Sequence, residues 1–455
     1  MDFVSRIEET LRLKTALQRE QHQLIILMGR RRTGKSRLIR EVLRPDDIYM
    51  LADQSDVSLQ RSYMAAVVEQ QIPGFSSVVY PTWDSLLRQL NRMVTKGAVV
   101  CLDEFPYLVK SAPELPSVIQ RLCDNRGDLN FHLLLCGSSQ QMMSRLVHDQ
   151  TAPLFGRADE MMRLRPMQIS ALREYLQVDG VGAVNEFAVW GGIPRYWEIR
   201  KQHLTLDDAI SSAVLNPLGV LHEEPARLFL DDLRTSIQAD SLLQVIGNGC
   251  HRLSEIAGRL QKPATQLNQP LSLLIELGFV KRDMPYGEST KSTKRTLYRI
   301  SDPFLRFYFR YVAPNRSMLA LHSPDSILRQ IQPGLTAFVA AEWEQICRES
   351  INRILPNLNW LPAQSWWGPD RNGKPLELDV VSETADKQLV MLGECKWADE
   401  VSPHEILSDL KEKAARLAWL DNRPIQYVLF TKNPHPGPAE LRNFTANDVT
   451  DYREA

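Results

Sequence analysis

Three short runs of apolar residues stand out in the first third of the chain: Leu24-Ile25-Ile26-Leu27-Met28, Ala98-Val99-Val100-Cys101-Leu102 and His132-Leu133-Leu134-Leu135-Cys136. Each is a short apolar run without alternation, which predicts buried strands. All three stop abruptly at residues that carry chemistry. The first runs into Gly29-Arg30-Arg31-Arg32-Thr33-Gly34-Lys35-Ser36, after which residues 37–43 take up helical spacing. The second ends in Asp103-Glu104 and the third in Gly137-Ser138-Ser139-Gln140.

Strand, glycine-bounded loop and helix form the context that a phosphate-binding loop requires. Glycines let backbone N–H groups curl around phosphates, Lys35 would reach the β and γ oxygens, and Ser36 would ligate Mg²⁺. Residues 29–37 are therefore the candidate nucleotide contacts: Gly29, Arg30, Arg31, Arg32, Thr33, Gly34, Lys35, Ser36 and Arg37. Two adjacent carboxylates at the end of an apolar strand supply the rest. Asp103 would complete the metal shell with Ser36, and Glu104 would polarise the attacking water. Where ATPases insert a strand between these two, a polar side chain at its end faces the γ-phosphate, so Ser138 or Ser139 is a sensor candidate; a plain turn or a helix N-cap is the alternative. Arg157, in Pro153-Leu154-Phe155-Gly156-Arg157 ahead of a strand at residues 161–164, is a candidate arginine finger acting in a neighbouring subunit, or else an ordinary surface arginine.

These residues resemble the archaeal-type ATPases of the AAA+-like group. The likeness rests on Phe3-Val4-Ser5-Arg6-Ile7-Glu8-Glu9, Asp103-Glu104-Phe105-Pro106-Tyr107-Leu108, Gly137-Ser138-Ser139, the segment from Pro153 to Arg157, and Gly191-Gly192-Ile193-Pro194-Arg195-Tyr196. It implies a five-stranded parallel sheet followed by a small helical lid. The three consecutive arginines 30–32 depart from the usual loop, either adding phosphate contacts or lying solvated.

Further along, residues 253–260 read as a short amphipathic helix, residues 265–277 as a second helix, and residues 279–282 and 296–300 as paired strands, which together make a winged helix. Its wing carries Lys281, Arg282, Lys291, Lys294 and Arg295, suited to a phosphate backbone, while its second helix is poor in Lys and Arg and so ill suited to reading base sequence.

In Leu376-Glu377-Leu378-Asp379-Val380-Val381, alternation puts Leu376, Leu378 and Val380 on one face and Glu377, Asp379 and Val381 on the other. A polar turn at residues 382–387 leads to Gln388-Leu389-Val390-Met391-Leu392-Gly393-Glu394-Cys395-Lys396-Trp397. A closed hairpin would bring Asp379, Glu394 and Lys396 together, two carboxylates for Mg²⁺ or Mn²⁺ and an ammonium beside the water. This looks like the PD-(D/E)xK arrangement of restriction-endonuclease-like enzymes, which also implies a further acid from the first helix of the domain, Glu344 or else Glu342. A helix at 403–419 and a strand at 425–430 complete the expected fold.

The expected class is thus α/β: a P-loop AAA+-like core at 1–165, a helical lid at 166–235, a winged helix at 236–312, a linker at 313–335 and a restriction-endonuclease-like domain at 336–455. With 455 residues, several domains are expected. The near-zero net charge of −1 gives no global attraction to nucleic acid, so contact with DNA must be local. Six scattered cysteines without a C-x-x-C pair read as reduced thiols, and no apolar run approaches the length of a membrane span, so a cytoplasmic protein is expected. The function expected is ATP hydrolysis coupled to DNA cleavage in a homo-oligomer; the alternative is an ATPase switch whose later domains only bind DNA or protein.

Overall fold

The computed structural model describes residues 6–229, 236–289, 295–420 and 423–451. Phe3, Val4 and Ser5 of the family-like run, and Lys291 and Lys294 of the expected wing, lie outside these residues. Contacts divide the chain into two compact units: one of residues 1–166 with 193–195 and 228–234, the other of residues 167–192, 196–227 and 235–455.

The first unit is built on the apolar runs. Strands β1 (Leu24–Met28), β2 (Ile48–Leu51), β3 (Ala98–Asp103), β4 (Phe131–Gly137) and β5 (Glu160–Arg163) form one sheet in the order β2-β3-β4-β1-β5. Every pairing is parallel. All residues of β1, β3 and β4 are buried, as continuous apolar runs demand. Ile26, Val100 and Leu135 face a cluster that includes Trp83 and Leu86, while Ile25, Val99 and Leu134 face a second cluster with Leu38 and Ile39. Strand β4 lies between β1 and β3, so the ends of all three converge along one edge.

In the second unit, helices Leu253–Leu260 and Ala264–Glu276 precede the antiparallel pair β6 (Val280–Asp283) and β7 (Leu297–Ile300), with Pro270 tolerated inside the second helix. The segment expected as a linker is instead structured. It holds helix Arg316–Leu319 and the start of a helix of 31 residues, Pro324–Ile354, that runs past the expected boundary. Pro324 stands at its first turn, where its missing N–H costs nothing.

A mixed sheet follows, with β8 (Gln364–Pro369), β9 (Pro375–Glu383), β10 (Val390–Lys396), β11 (Ile425–Thr431) and β12 (Leu441–Thr445) in the order β12-β11-β10-β9-β8. Helix Pro403–Arg416 packs on it. One expectation fails here. Gln364 pairs with Val381 and Trp366 with Leu378, so two steps along β8 match three along β9. The extra residue is a β-bulge at Asp379–Val380, and it puts Val381 into the cluster of Leu376 and Leu378, while Val380, equally buried, lies outside that cluster.

All six cysteines are free thiols, five buried and Cys250 half-buried. Among the described residues no helix is long and apolar enough to cross a membrane. Leu134 has no exposure, at the middle of β4. Leu134→Ala should lower unfolding stability by about 2–5 kcal/mol, seen as a lower denaturant midpoint for the first unit with no change in the slope of its transition.

Candidate functional site

In the first unit the loop between β1 and helix Lys35–Val42 is shaped by two glycines for different reasons. A Cβ at Gly29 would sit 2.7 Å from the Leu164 carbonyl oxygen, so no side chain fits. Gly34 has open space around it but a φ of 93°, and Arg32 also lies in the left-handed region at 68°. This turning of the chain points successive N–H groups inward, the concavity that binds anions. Lys35 is buried, with Nζ donating to the carbonyls of Gly29 and Arg30, both at 2.9 Å. Thr33 Oγ1 closes the loop by donating to Arg30 O at 2.8 Å.

Asp103, at the end of β3, has no exposure and gathers donors. Ser36 Oγ and the Tyr49 hydroxyl each donate to its Oδ2 at 2.7 Å, and the Glu104 N–H donates to Oδ1 at 2.9 Å. Burial, followed by the hydrogen bond to Asp103, pushes the Tyr49 phenol well above its ordinary value, so it remains a donor. A serine hydroxyl against a carboxylate is a hard-oxygen pair of the kind Mg²⁺ takes, and these two residues fit the metal that the fold implies.

Glu104 adopts φ 54°, a left-handed conformation unusual outside glycine, which turns its side chain back toward β4. There Oε2 accepts from the N–H of Ser138 at 3.1 Å and from its Oγ at 2.8 Å. Ser138 thus holds Glu104, whereas Ser139 caps helix Gln140–His148, accepting from the Met142 N–H at 3.4 Å. The arginines of the loop are not simply solvated. Arg30 is buried, Arg31 donates to the Tyr107 hydroxyl at 2.7 Å, and only Arg37 is exposed. Arg157 stands away from these groups, ion-paired with Asp124 at 2.8 Å on the surface.

Two contributors escape a reading of residues in order. Tyr49 reaches Asp103 only because β2 pairs beside β3. Arg6 belongs to the run that carries the family likeness, and its guanidinium straps the loop from behind by donating to Thr33 O at 3.1 Å and Arg165 O at 2.7 Å.

In the second unit the bulge of β9 brings Asp379 beside the end of β10. Its Oδ2 accepts from the Cys395 N–H at 2.9 Å. Its carboxyl is pushed up to about 7, first by burial and then by the charges of Glu394 and Glu344, against the pull of the Cys395 N–H and Lys396. Glu394 is held low despite its burial, because Lys396 and Lys413 each place Nζ 2.7 Å from a different one of its oxygens. Lys413, on helix Pro403–Arg416, was not expected. Glu344 pairs with Arg348 at 3.6 Å, and Arg348 donates to Asp379 O at 2.8 Å. Glu342, the alternative fourth acid, points elsewhere, to Arg306 at 2.7 Å. Burial, and after it the charges of Glu394 and Glu344, raise the proton affinity of Asp379, and a divalent cation would offset both. Asp379 and Glu344 would hold it, and Glu394 only after releasing a lysine. Among the described residues no group of three or more His, Cys, Asp and Glu is already arranged around a metal-sized space.

Residues 3–181 match the family model of an ATPase domain predominantly from Archaea, and residues 308–415 match one of archaeal and bacterial proteins of unknown function. An uncharacterized protein of Methanocaldococcus jannaschii, MJECL04, is 28% identical over 440 residues, covering 94% of this chain and 95% of the relative. Among solved structures, the Walker-type ATPase PABY2304 of Pyrococcus abyssi is 19% identical with a TM-score of 0.54, covering 68% of this chain and 96% of that one. The chain therefore carries an ATPase domain of the archaeal type, and its fold is that of a P-loop ATPase.

Lys35→Ala should abolish tight ATP binding by titration calorimetry, whereas Glu104→Gln should keep binding but lose turnover by about 10²–10⁴-fold; phosphate release by the Glu104→Gln protein at the parent rate would remove Glu104 as the base. At the second centre the folded chain keeps the Asp379 proton that the unfolded chain gives up in the ordinary carboxylate range. The stability this group contributes is full at low pH and lost as pH rises through about 7. Asp379→Asn cannot ionise, so without added metal its gain in denaturant midpoint over the parent should be larger at pH 8 than at pH 5.

Proposed function

We propose that this protein hydrolyses ATP at the P-loop and uses the nucleotide state to control cleavage of DNA by the carboxylate–lysine cluster of its second unit. The observation that supports cleavage is the convergence of Asp379, Glu394 and Lys396 around the bulged strand, with Glu344 beside them. Mg²⁺ in the first unit, held by Ser36 and Asp103, would neutralise charge on the phosphates. Lys35 swings from the loop carbonyls to the β and γ oxygens. Glu104, freed from Ser138 or still oriented by it, takes a hydrogen bond from the attacking water. Ser138 is left to register the γ-phosphate.

In the second unit, Asp379 and Glu344 would hold a divalent ion that activates water toward a phosphodiester. Lys396 is placed to donate to that water or to a phosphate oxygen. Arg157 is the candidate to reach a neighbouring subunit's nucleotide; its exposed partner, Asp124, gives it up at little cost. A homo-oligomer follows from that assignment.

A second reading, a switch whose second unit only binds, draws on a specific observation: both oxygens of Glu394 are already taken by ammonium groups. The wing also offers less to DNA than its sequence suggests. Lys281 turns to Gln345 at 2.7 Å and Arg295 to the Trp367 carbonyl at 2.9 Å, and of its described cations Arg282 is exposed.

Incubation with plasmid, single-stranded and branched DNA, varying ATP and Mg²⁺ or Mn²⁺ independently, separates the two. Metal-dependent cleavage is expected from the parent. Lys396→Ala should stop cutting while sparing DNA and metal binding, Asp379→Ala should weaken metal binding, and ATPase activity should survive both. No cleavage under any condition, or full cleavage by Lys396→Ala, would leave the binding switch.

A further inference from the structure

Lying within the second unit is a cavity of about 310 Å³, bounded by the winged helix, the segment Tyr308–Val312 and helix Pro324–Ile354. Its size is at the lower end of the range that small-ligand sites occupy. Five cationic side chains line it: Lys281, Arg299, Arg306, Arg310 and Arg348. The only acid among its lining residues is Glu342. That carboxylate answers to Arg306 at 2.7 Å, while Lys281 and Arg299 share Asp283 at 3.9 and 3.3 Å and Arg348 contacts Glu344 at 3.6 Å. Within the lining one acid thus faces five cations, with Asp283 and Glu344 pairing from outside it, and Nε of Arg306 is buried with no hydrogen-bond partner. Concentrating cations in a confined space is unfavourable unless an anion is to be received.

Two aromatic side chains also line it. Tyr311 and Phe338 meet edge to face with centroids 5.5 Å apart, and the Arg306 guanidinium lies 4.6 Å from the Phe338 centroid. Arg310 and Tyr311 come from a π-helical stretch, a local widening of the helix that recurs at functional sites. Cations for phosphate beside a flat apolar wall for a ring describe a mononucleotide more closely than a bare anion.

From this we infer a second ligand site, separate from the P-loop, that takes a small phosphate ester bearing a planar ring, of mononucleotide size. Two groups in it are the least enclosed: Arg310, which is exposed, and Phe338, which is half-buried.

The full chain carrying Lys35→Ala, so that the P-loop is silent, is titrated calorimetrically with AMP, with adenosine and ribose 5-phosphate as partial ligands and a duplex oligonucleotide as rival. AMP should bind one to one and more tightly than either partial ligand. Adding Arg310→Ala should weaken AMP at least about tenfold, as loss of a charged hydrogen bond does, with Arg310→Lys recovering part of it. Phe338→Leu should weaken AMP but not ribose 5-phosphate, and circular dichroism and the melting curve should match the Lys35→Ala parent for each variant. Absence of AMP binding at millimolar concentration, AMP binding indifferent to both Arg310 and Phe338, or displacement of AMP by the duplex at equal phosphate concentration would overturn the assignment.

Discussion

A carboxylate with no access to water has to be surrounded by donors or neutralised, and Asp103 is such a group. The Ser36 hydroxyl comes to it from the helix after the loop, the Tyr49 hydroxyl from the neighbouring strand, and the Glu104 N–H from its own chain. The first two of these bonds tie together elements that share no sequence neighbourhood. The parallel order of the sheet matters because it brings the strand ends to one edge, where Asp103 can be reached. Glu104 is then turned by its left-handed backbone toward Ser138, so the groups that would bind metal, activate water and detect the phosphate are linked by hydrogen bonds before any ligand arrives.

The second unit handles buried carboxylates differently. Glu394 is neutralised by two ammonium groups, while the proton affinity of Asp379 beside it is raised by burial and by neighbouring acids. Adjacent acids whose environments drive their proton affinities apart are a common property of centres that do acid–base or metal chemistry. Such an arrangement contributes little to the stability of the fold.

Much of the first unit was legible in sequence because its determinants are contiguous: apolar runs of strand length, glycines at fixed spacing, and acids at a strand end. What was not legible depends on register and on neighbours. Tyr49 looks like one more strand residue until β2 is placed beside β3. The bulge at Asp379–Val380 interrupts a perfect alternation, and no residue type announces it, since Asp, Val and Val are all compatible with a regular strand. Lys413 lies on a helix that sequence places correctly, but its reach to Glu394 is tertiary. Residues 313–335 are expected as a linker, yet Pro324 sits at a first turn and the long helix absorbs Pro333 and Gly334.

That long helix has a mechanical consequence. Successive residues turn by about 100°, so Glu342 and Glu344 point roughly 200° apart. One faces the cationic cavity through Arg306 and the other the charge field of Asp379. The helix is an axle shared by the two: a twist that carries Glu342 one way along its wall carries Glu344 the opposite way along the other. A rotation of that helix would reach both carboxylates with one sense about its axis, without any loop having to move.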